Sequence, residues 1–443
     1  MTSTNRMRIA VIGSGISGLS AAWLLDRRHD VTLYEQNQKL GGHSNTLEAL
    51  FDGTKVDVDT GFIVYNTLNY PNLEALFQYL GVKTKASDMS FSASLGNGSL
   101  EYSGTNLWGL FGQPKNLFRP SFWKMLWDLK RFYRQAPNQL KDGTLKNLTL
   151  GEYLTENMYS APFIQNHILP MGAAIWSTTP QAMRDYPAEA FIRFFESHGL
   201  LTISGRPEWR TVDGGSKQYV KLLEQNFSGN TRMSGVTKVE RSADNVRVTS
   251  IDGQTDVFDH VVIGTHADQA LKLLQDPSPE EQSLLGVWRY TKNTAVLHSD
   301  PELMPKRRRV WASWNFIQKQ SEAQYTPLCV TYWMNLLQSI PEAYPLFVTL
   351  NPPPDQTIHG THSVVDYEHP FFDSAALKSQ GELWSLQGKR RTWFCGSYFG
   401  YGFHEDGLES GLSIAEQLGE VERPWKIPDG KSRIQISQSK MVV

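Results

Sequence analysis

The chain has 443 residues, of which 40% are hydrophobic and 20% are charged, and its formal net charge is −2. This length predicts two or three domains with a large core, and the small net charge gives no general attraction to nucleic acid. No apolar run reaches the roughly 18 residues of a membrane span. Its two cysteines, Cys329 and Cys395, are too far apart in sequence to suggest a disulfide framework, which favours a reducing, cytoplasmic compartment.

The first informative element is a glycine-rich turn near the N-terminus. A short apolar strand, Ile9–Ile12, runs into the pattern Gly-x-Gly-x-x-Gly, and a helical pattern and a second strand, Val31–Glu35, follow. In a dinucleotide site these glycines permit a tight turn, close approach of the pyrophosphate and close helix–strand packing, and the acid binds ribose hydroxyls. The pyrophosphate lies on the helix N-terminus. The residues predicted to contact the dinucleotide here are Gly13, Ser14, Gly15, Ile16, Ser17, Gly18, Glu35 and Gln36.

Two further segments extend this predicted site and favour FAD over NAD. The adjacent glycines of Leu40-Gly41-Gly42-His43 let the backbone wrap around the ribose and pyrophosphate from the second side. In Val56–Val64 an acidic strand end turns at a glycine into another apolar strand. The predicted contacts in these segments are Gly41, Gly42, His43, Gly61, Phe62 and Ile63.

The next stretch predicts a helix and then a hairpin. Asn69–Gly81 has a proline in its first turn, an apolar stripe and a terminal glycine. Residues 87–103 alternate in polarity around Gly96-Asn97-Gly98, which is typical of a hairpin turn. From Leu107 to about Pro170 the pattern is mainly helical.

Within that helical region, the segment Trp108–Arg134 combines eight aromatic with six basic side chains, opposed only by Asp128. An aromatic, basic and amphipathic helix suits the membrane interface, where Trp lies at headgroup level and Lys and Arg meet lipid phosphates. One interpretation is therefore peripheral contact with an anionic membrane surface on the cytoplasmic side. The other is an ordinary surface helix whose apolar stripe packs on the core. The residues of that stripe are Phe122, Met125, Leu126, Leu129 and Phe132.

The second half of the chain returns to strands and ends on another glycine-rich helix start. A helix over Ser216–Glu224 precedes strands predicted at Val236–Val239, Val246–Ile251 and Val257–Thr265. Near the C-terminus, Phe394-Cys395-Gly396-Ser397 leads through several glycines into a helical run from Glu409 to Leu418. Such a helix start suits an anion or a polarised carbonyl. Because two such starts lie at opposite ends of the chain, we expect one long ligand held by both.

These motifs together resemble the flavin-dependent amine oxidoreductase superfamily, which includes monoamine oxidases, protoporphyrinogen oxidase and phytoene desaturases. The resemblance runs from Arg8 to about Leu418 and implies FAD, an amine-oxidase-like fold and further cofactor contacts. Those contacts are Val236, Gly396, Ser397, Asp406, Gly407 and Leu408. The chain departs from the family at His43, where amine oxidases commonly have arginine, which puts the phosphate contact there in doubt.

A closer resemblance is to bacterial flavoproteins encoded beside cyclopropane-fatty-acid-synthase-like methyltransferases, and to the flavoprotein domain at the front of plant cyclopropane fatty acid synthases. Some of these proteins are implicated in desaturating methyl-branched acyl chains on the way to furan fatty acids. The resemblance therefore implies a lipid or acyl-chain substrate and a fatty-acid methyltransferase as a partner. The motifs that it rests on are Gly41-Gly42-His43, Tyr70-Pro71-Asn72, Ser87–Phe91, Gly205-Arg206-Pro207-x-Trp209 and Gly400–Gly407.

A flavin takes a hydride from a C–H bond, so the protein mainly has to position that bond and keep the site dry. The histidines show no metal-binding spacing, and no metal is expected. The candidate catalytic residues are His404, whose pKa the neighbouring acids could raise, and Tyr398 and Tyr401, which could line the flavin face. The alternatives are a loop or capping hydrogen bond for the histidine and plain packing for the tyrosines.

The predicted fold is α/β, with a Rossmann-like FAD-binding domain interleaved with an α+β substrate domain. The first would comprise residues 1–80, 206–265 and 391–420, the second 81–205 and 266–390, and a tail 421–443. Three functions stay open: oxidation or desaturation of an apolar substrate such as an acyl chain, amine oxidation, and a non-catalytic flavoprotein that assists a methyltransferase.

A first prediction concerns Glu35. The variant Glu35→Gln keeps a hydrogen-bonding side chain but loses the charge-assisted bonds to ribose, so the affinity for FAD should fall by roughly 1.5–3 kcal/mol. Titration of the apoprotein with FAD, followed by flavin fluorescence, measures this change. An unchanged dissociation constant would show that the carboxylate serves another purpose.

Overall fold

The computed structural model describes residues 6–202, 205–319, 328–428 and 432–434. The strands among them are β1 (Arg8–Ile12), β2 (Asp30–Tyr34), β3 (Thr46–Phe51), β4 (Thr54–Asp59), β5 (Tyr65–Asn66), β6 (Thr84–Ala86), β7 (Phe91–Leu95), β8 (Leu100–Ser103), β9 (Trp209–Val212), β10 (Asn230–Arg232), β11 (Val236–Arg241), β12 (Val246–Ser250), β13 (Thr255–Phe258), β14 (His260–Ile263), β15 (Arg289–His298), β16 (Trp314–Ile317), β17 (Val330–Trp333), β18 (Phe347–Leu350), β19 (Thr361–Phe371) and β20 (Thr392–Phe394).

The α-helices of the same residues are α1 (Ile16–Leu25), α2 (Pro71–Leu80), α3 (Leu107–Leu110), α4 (Pro120–Lys141), α5 (Leu150–Glu156), α6 (Ala161–Phe163), α7 (Leu169–Trp176), α8 (Ala188–Ser197), α9 (Lys217–Gln225), α10 (Ala267–Leu273), α11 (Pro279–Leu285), α12 (Met334–Leu337), α13 (Ser374–Gln380) and α14 (His404–Gly419). None of the helices described is both long enough and apolar enough to cross a bilayer.

A parallel five-stranded sheet forms the first layer of the molecule, in the order β10-β2-β1-β14-β20. Its strands come from residues 8–34, 230–263 and 392–394, so distant segments of the chain meet in one sheet. Parallel strands buried on both faces are apolar along their length, and the burial of β1 and β14 follows that pattern. The domain boundaries themselves stay a prediction.

One predicted strand, Val257–Thr265, is two strands in the structure. β13 pairs with β12 in a three-stranded antiparallel sheet, whereas β14 enters the parallel sheet beside β1. Asp259 lies between them, and its carboxylate accepts a hydrogen bond from the Arg8 amide at 2.6 Å. The chain changes sheets here, a change that a continuous apolar pattern does not reveal.

The second layer is a mixed seven-stranded sheet in the order β19-β15-β18-β17-β16-β7-β8. Its longest pairing joins β15 and β19 from Arg289 opposite Phe371 to His298 opposite Thr361. The helices α4 to α8 pack beside this sheet around a cluster of buried aromatic rings that includes Phe132, Phe163 and Phe191. The two sheets therefore lie on either side of an interior space, which the next section describes.

Candidate dinucleotide and substrate site

The glycine-rich turn after β1 is shaped by close backbone contacts. Gly13 has a φ of +95°, and a Cβ there would lie 3.0 Å from the Gly264 carbonyl oxygen. A Cβ on Gly18 would lie only 2.0 Å from the carbonyl oxygen of Gly13, so this glycine lets α1 pack against the turn, as expected. Gly15 differs from both, because nothing lies within 4 Å of its added Cβ. The space beside it is open to a ligand.

Glu35 holds this turn in place. One carboxylate oxygen accepts hydrogen bonds from the Ser14 amide at 3.0 Å and from the Ser14 hydroxyl at 2.6 Å. The other accepts bonds from the amide and the side chain of Asn37, at 2.8 and 2.9 Å. The acid that the sequence assigns to ribose therefore also connects the end of β2 to the glycine-rich turn. Because it borders the same cavity as that turn, its predicted contact with ribose is geometrically available.

The second glycine pair closes over the first turn. Gly42 has a φ of +55°, and a Cβ there would lie 3.0 Å from the Cα of Gly15. The Gly41 amide donates to the Ser14 carbonyl oxygen at 3.1 Å. A Cβ on Gly61 would lie 2.2 Å from the His43 carbonyl oxygen. The three segments that the sequence analysis singled out therefore meet at one place.

A cavity of about 1500 Å³ begins at this place and runs between the two sheets. It opens at the carboxyl ends of β1 and β2, which is where open α/β sheets bind ligands. Its far wall is formed by β7, β16, β17, β18 and β19 of the seven-stranded sheet. The predicted site residues that line it are Gly13, Ser14, Gly15, Ile16, Ser17, Glu35, Gln36, Gly42, His43, Gly61, Phe62, Ile63, Val236, Gly396, Ser397, Tyr398, Tyr401 and His404.

Five predicted residues do not line the cavity: Gly18, Gly41, Asp406, Gly407 and Leu408. Asp406 accepts a hydrogen bond from the Phe403 amide at 2.8 Å and pairs with Arg433 at 3.2 Å. A Cβ on Gly407 would lie 2.7 Å from the Ser17 hydroxyl. The Asp406–Leu408 segment thus caps α14 and packs that helix against α1, and its direct contact with a cofactor stays a prediction.

His404 has a different environment from the one expected. Its ring stacks on Phe62 with centroids 3.8 Å apart, and its Nε2 lies 2.8 Å from the Tyr219 hydroxyl and 2.9 Å from the Ser44 hydroxyl. Burial, with a smaller contribution from His43, lowers its pKa to about 3. The expectation that neighbouring acids raise this pKa is therefore wrong.

The acids beside His404 face away from it because each caps a helix. Glu405 accepts hydrogen bonds from the amides of Asn72 and Leu73, at 2.8 and 2.9 Å, and so caps α2. Asp406 caps α14, as described above. His404 is consequently a neutral imidazole at physiological pH and offers a hydrogen bond, not a charge.

A second group of imidazoles also lines the cavity. The ring of His43 lies 5.5 Å from that of His369, 6.3 Å from that of His266 and 5.1 Å from that of Tyr367. Burial, followed by the effect of His266, lowers the pKa of His43 to about 4, and burial lowers that of His369 to about 3. His43 therefore does not supply the positive charge that the sequence resemblance would place at this position. A phosphate group at this place would have to rely on backbone N–H groups.

The two candidate tyrosines line the cavity, and among the residues described neither has a basic hydrogen-bond partner that could take its proton. Tyr398 is buried against Trp288 and Phe399, and its hydroxyl has no hydrogen-bond partner among the residues described. Burial raises the pKa of Tyr398 and, to a smaller extent, that of Tyr401. Both phenols keep their protons at neutral pH. Their catalytic role stays a prediction.

Sequence reasoning missed the apolar end of the cavity. Its wall includes Met171, Ala174 and Ile175, which share one face of α7. A one-turn π-helix, Ile164–Ile168, precedes α7, and such turns recur at functional sites. The run Leu169–Trp176 is apolar throughout, which indicates a buried helix, but the pattern does not say that one face borders a cavity. Further apolar residues of the lining include Met89, Phe91, Trp176, Phe194, Leu200, Trp314, Tyr332, Val348 and Leu350.

A second prediction separates two glycines of the turn. A valine at Gly15 meets no protein atom at its Cβ but fills the space where a pyrophosphate would lie. Gly15→Val should therefore give a folded, colourless protein. Gly18→Ala places a Cβ 2.0 Å from a carbonyl oxygen and should lower the thermal stability itself. Absorbance at 450 nm and thermal unfolding distinguish the two effects, and full flavin occupancy in Gly15→Val would contradict our placement of the dinucleotide.

A third prediction concerns pH. The imidazole of His404 stays unprotonated in the folded state down to about pH 3, whereas the unfolded chain takes up a proton near pH 6.5. The histidine therefore lowers the free energy of unfolding as the pH falls below 6.5. In His404→Gln, the loss of stability between pH 6.5 and 5 should be smaller by roughly 2 kcal/mol.

Thermal or urea unfolding at the two pH values measures this difference. His359→Gln serves as the control, because that side chain is exposed, and it should leave the pH dependence as in the wild type. Equal pH dependence in wild type and His404→Gln would contradict the buried, neutral state of His404.

Comparisons with known proteins agree with this geometry. A family model described as an NAD(P)-binding Rossmann-like domain matches residues 11–80. The chain is 24% identical to a tryptophan 2-monooxygenase of Pseudomonas savastanoi over 69% of its length, and 38% identical to a carotenoid 3,4-desaturase of Haloarcula japonica over 16%. The aligned segments span 60% and 14% of the lengths of those two proteins.

Solved structures match over nearly the whole chain. A CLA-producing fatty acid isomerase from P. acnes superposes with a TM-score of 0.66 and 14% identity, covering 95% of this chain and 99% of the isomerase. A putrescine oxidase bound to putrescine also gives 0.66, with 13% identity and coverage of 93% and 99%. The chain therefore has the mixed α/β fold of these solved structures, with a Rossmann-like dinucleotide-binding unit at residues 11–80.

Proposed function

We propose that this protein is an FAD-dependent oxidoreductase that oxidises or desaturates an apolar substrate, namely a fatty acyl chain. The observation that carries the proposal is a single cavity that begins at a dinucleotide-type glycine turn and ends in an apolar chamber. Its volume of about 1500 Å³ exceeds the roughly 300–1,000 Å³ of a typical small-molecule pocket. A cavity of this size has space for a cofactor and a long substrate together.

The residues present fit FAD at the first end. Gly15 leaves open space beside the N-terminus of α1, Glu35 borders that space, and Val236 lines the cavity at the edge of the parallel sheet. Further along, the backbone from Gly61 to Ile63 and the Gly396–Ser397 turn both line the same cavity. When bound, FAD supplies the acceptor for the two electrons and the hydrogen that leave the substrate.

The other end of the cavity favours an uncharged substrate. Three acids line the cavity among the residues described, and none belongs to the apolar chamber. Glu35 is bonded to the glycine turn, Asp366 is exposed, and Glu368 lies 3.5 Å from His266. A cationic amine would bury its charge in the chamber without an anionic partner, which is costly. An acyl chain would instead bury apolar surface against apolar surface.

The chain's own residues would bind and orient the substrate and keep water out. The face of α7 around Ala174 and the strand β18 supply apolar contacts on opposite walls. The imidazoles of His43, His369 and His404 are neutral, so they offer hydrogen bonds without adding charge to the site. A site of this kind suits removal of hydrogen from an unactivated chain, for which water and competing charges are unfavourable.

Two names among the similar proteins support this substrate class: a fatty acid isomerase in the structural comparison and a carotenoid desaturase in the sequence comparison. The putrescine oxidase in the same structural comparison keeps amine oxidation as the second candidate. The predicted link to a fatty-acid methyltransferase, and to cyclopropane or furan fatty acids, rests on the sequence resemblance alone and stays part of this proposal.

A fourth prediction tests the substrate class. Under anaerobic conditions, a monounsaturated or methyl-branched fatty acid, or a phospholipid containing it, should bleach the flavin absorbance. Ile175→Trp narrows the apolar chamber, so the rate of bleaching should fall at least roughly tenfold while the flavin content stays unchanged. Ile251→Trp makes the same substitution at an exposed turn outside the cavity and should react like the wild type.

Stopped-flow absorbance measures the rate, and putrescine and cyclohexylamine serve as the amine arm of the experiment. Bleaching by an amine but by no acyl compound would replace the proposal with amine oxidation. A flavin that neither class of compound reduces would favour the non-catalytic flavoprotein.

A further inference from the structure

A cluster of large apolar side chains faces outward on the segment from α3 to the first turns of α4. We call it the aromatic patch, and its members are Leu107, Trp108, Leu117, Phe118, Trp123 and Trp127. We infer that this patch binds the surface of an anionic phospholipid bilayer and docks the protein there from the aqueous side. The inference rests on exposure and charge at this surface, and it holds whether or not the substrate proposed above is correct.

The exposure of the patch is unusual for a folded chain. Phe118 is 86% exposed, Trp108 is 83% exposed and Trp127 is 70% exposed. Two leucines and a further tryptophan of the patch are exposed by 46 to 74%. Single exposed apolar residues need no explanation, but a contiguous group of large ones marks an interaction surface. Three tryptophans within one such group are typical of a surface that lies at lipid headgroup level.

The helix α4, which carries part of the patch, is anchored in the core. On its other face, α4 buries Phe122, Met125 and Phe132 in the core, which confirms that the predicted stripe packs inward. Trp123 donates its indole N–H to the Leu117 carbonyl oxygen at 2.9 Å, and its ring lies 5.6 Å from that of Phe111. The outward residues are therefore not a core stripe left uncovered. They form a separate surface on the opposite side of the helix.

The charges around the patch have one sign. Lys115, Lys124, Lys130 and Arg134 are exposed, and none of them forms an ion pair with a residue that the structure describes. The single acid of the segment, Asp128, is buried and accepts a hydrogen bond from the Ser160 amide at 2.8 Å, besides pairing with Arg131. Folding thus buries the only acid of the 108–134 segment and leaves these cations in solvent.

This charge pattern decides between the possible occupants. A second copy of the chain placed against the patch would bring like charges together, and this repulsion opposes dimerisation through it. An anionic bilayer offers phosphates to the cations and an apolar boundary to the indole and phenyl rings. Basic side chains are attracted to such a surface when they lie within a Debye length of the lipid. The bilayer is therefore the occupant that satisfies both properties of the patch.

The test uses the flavin-loaded full-length protein and sucrose-loaded vesicles of phosphatidylcholine, with or without phosphatidylglycerol. We expect co-sedimentation with the phosphatidylglycerol vesicles at low salt, weakened but not abolished at higher salt, because salt screens the charges but not the apolar contact. Two double variants separate the contributions. Trp108→Ala with Trp127→Ala should remove the salt-resistant part, and Lys124→Glu with Lys130→Glu should weaken binding at low salt at least roughly tenfold.

Matched controls lie elsewhere on the surface. Ile251→Ala with Val364→Ala removes two exposed apolar side chains, and Lys83→Glu with Lys221→Glu reverses two exposed lysines. Both should bind like the wild type. Circular dichroism and flavin content verify folding of every variant, which is expected because the altered side chains point into solvent.

Three results would overturn the inference: wild-type protein that stays in the supernatant with phosphatidylglycerol vesicles at low salt, tryptophan variants that bind as well as the wild type, and control variants that lose binding equally. A concentration-dependent dimer that the tryptophan variants abolish, in the absence of vesicle binding, would assign the patch to a second copy of the chain instead.

Discussion

The close approach of three backbone segments around the start of α1 is the constraint on which the rest of the structure depends. Gly18 lets α1 pack against the turn that precedes this helix. Gly42 lets the second glycine pair approach so closely that an added Cβ would lie 3.0 Å from the Gly15 Cα. On the other side of α1, a Cβ on Gly411 would lie 2.1 Å from the Ser17 carbonyl oxygen, so α14 is equally close. Side chains at these positions would push apart the N-terminal and C-terminal elements and open the nucleotide end of the cavity.

The histidines of the interior beyond this contact are polar without being charged. Burial keeps the imidazoles of His43, His369 and His404 neutral, and the acids next to His404 are used as helix caps. Hydrogen-bonding groups in a dry cavity strengthen one another, but an uncompensated charge there would be expensive. A site with these properties suits a cofactor that is held through backbone amides. It is compatible with chemistry on an apolar chain.

The local predictions that succeeded depend on short-range physics. The glycine turn, the α2 helix with its terminal Gly81 and the inward stripe of α4 each follow from periodicity and from conformations that few residues adopt. The errors arose where contacts between residues far apart in the chain set the outcome. The pKa of His404 depends on the direction in which Glu405 and Asp406 point. Each of those acids accepts hydrogen bonds from backbone amides at a helix N-terminus and so points away from the imidazole.

The sequence by itself determined the dinucleotide-type turn, the fold class and the aromatic, basic character of the 108–134 segment, because spacing and residue type are local properties. Only the tertiary structure decided that β13 and β14 belong to different sheets, that Asp128 is buried and that α7 lines a chamber. Burial and pairing between residues far apart in the chain set these outcomes. A cavity in particular is a property of surfaces that meet only after folding, so no single segment encodes it.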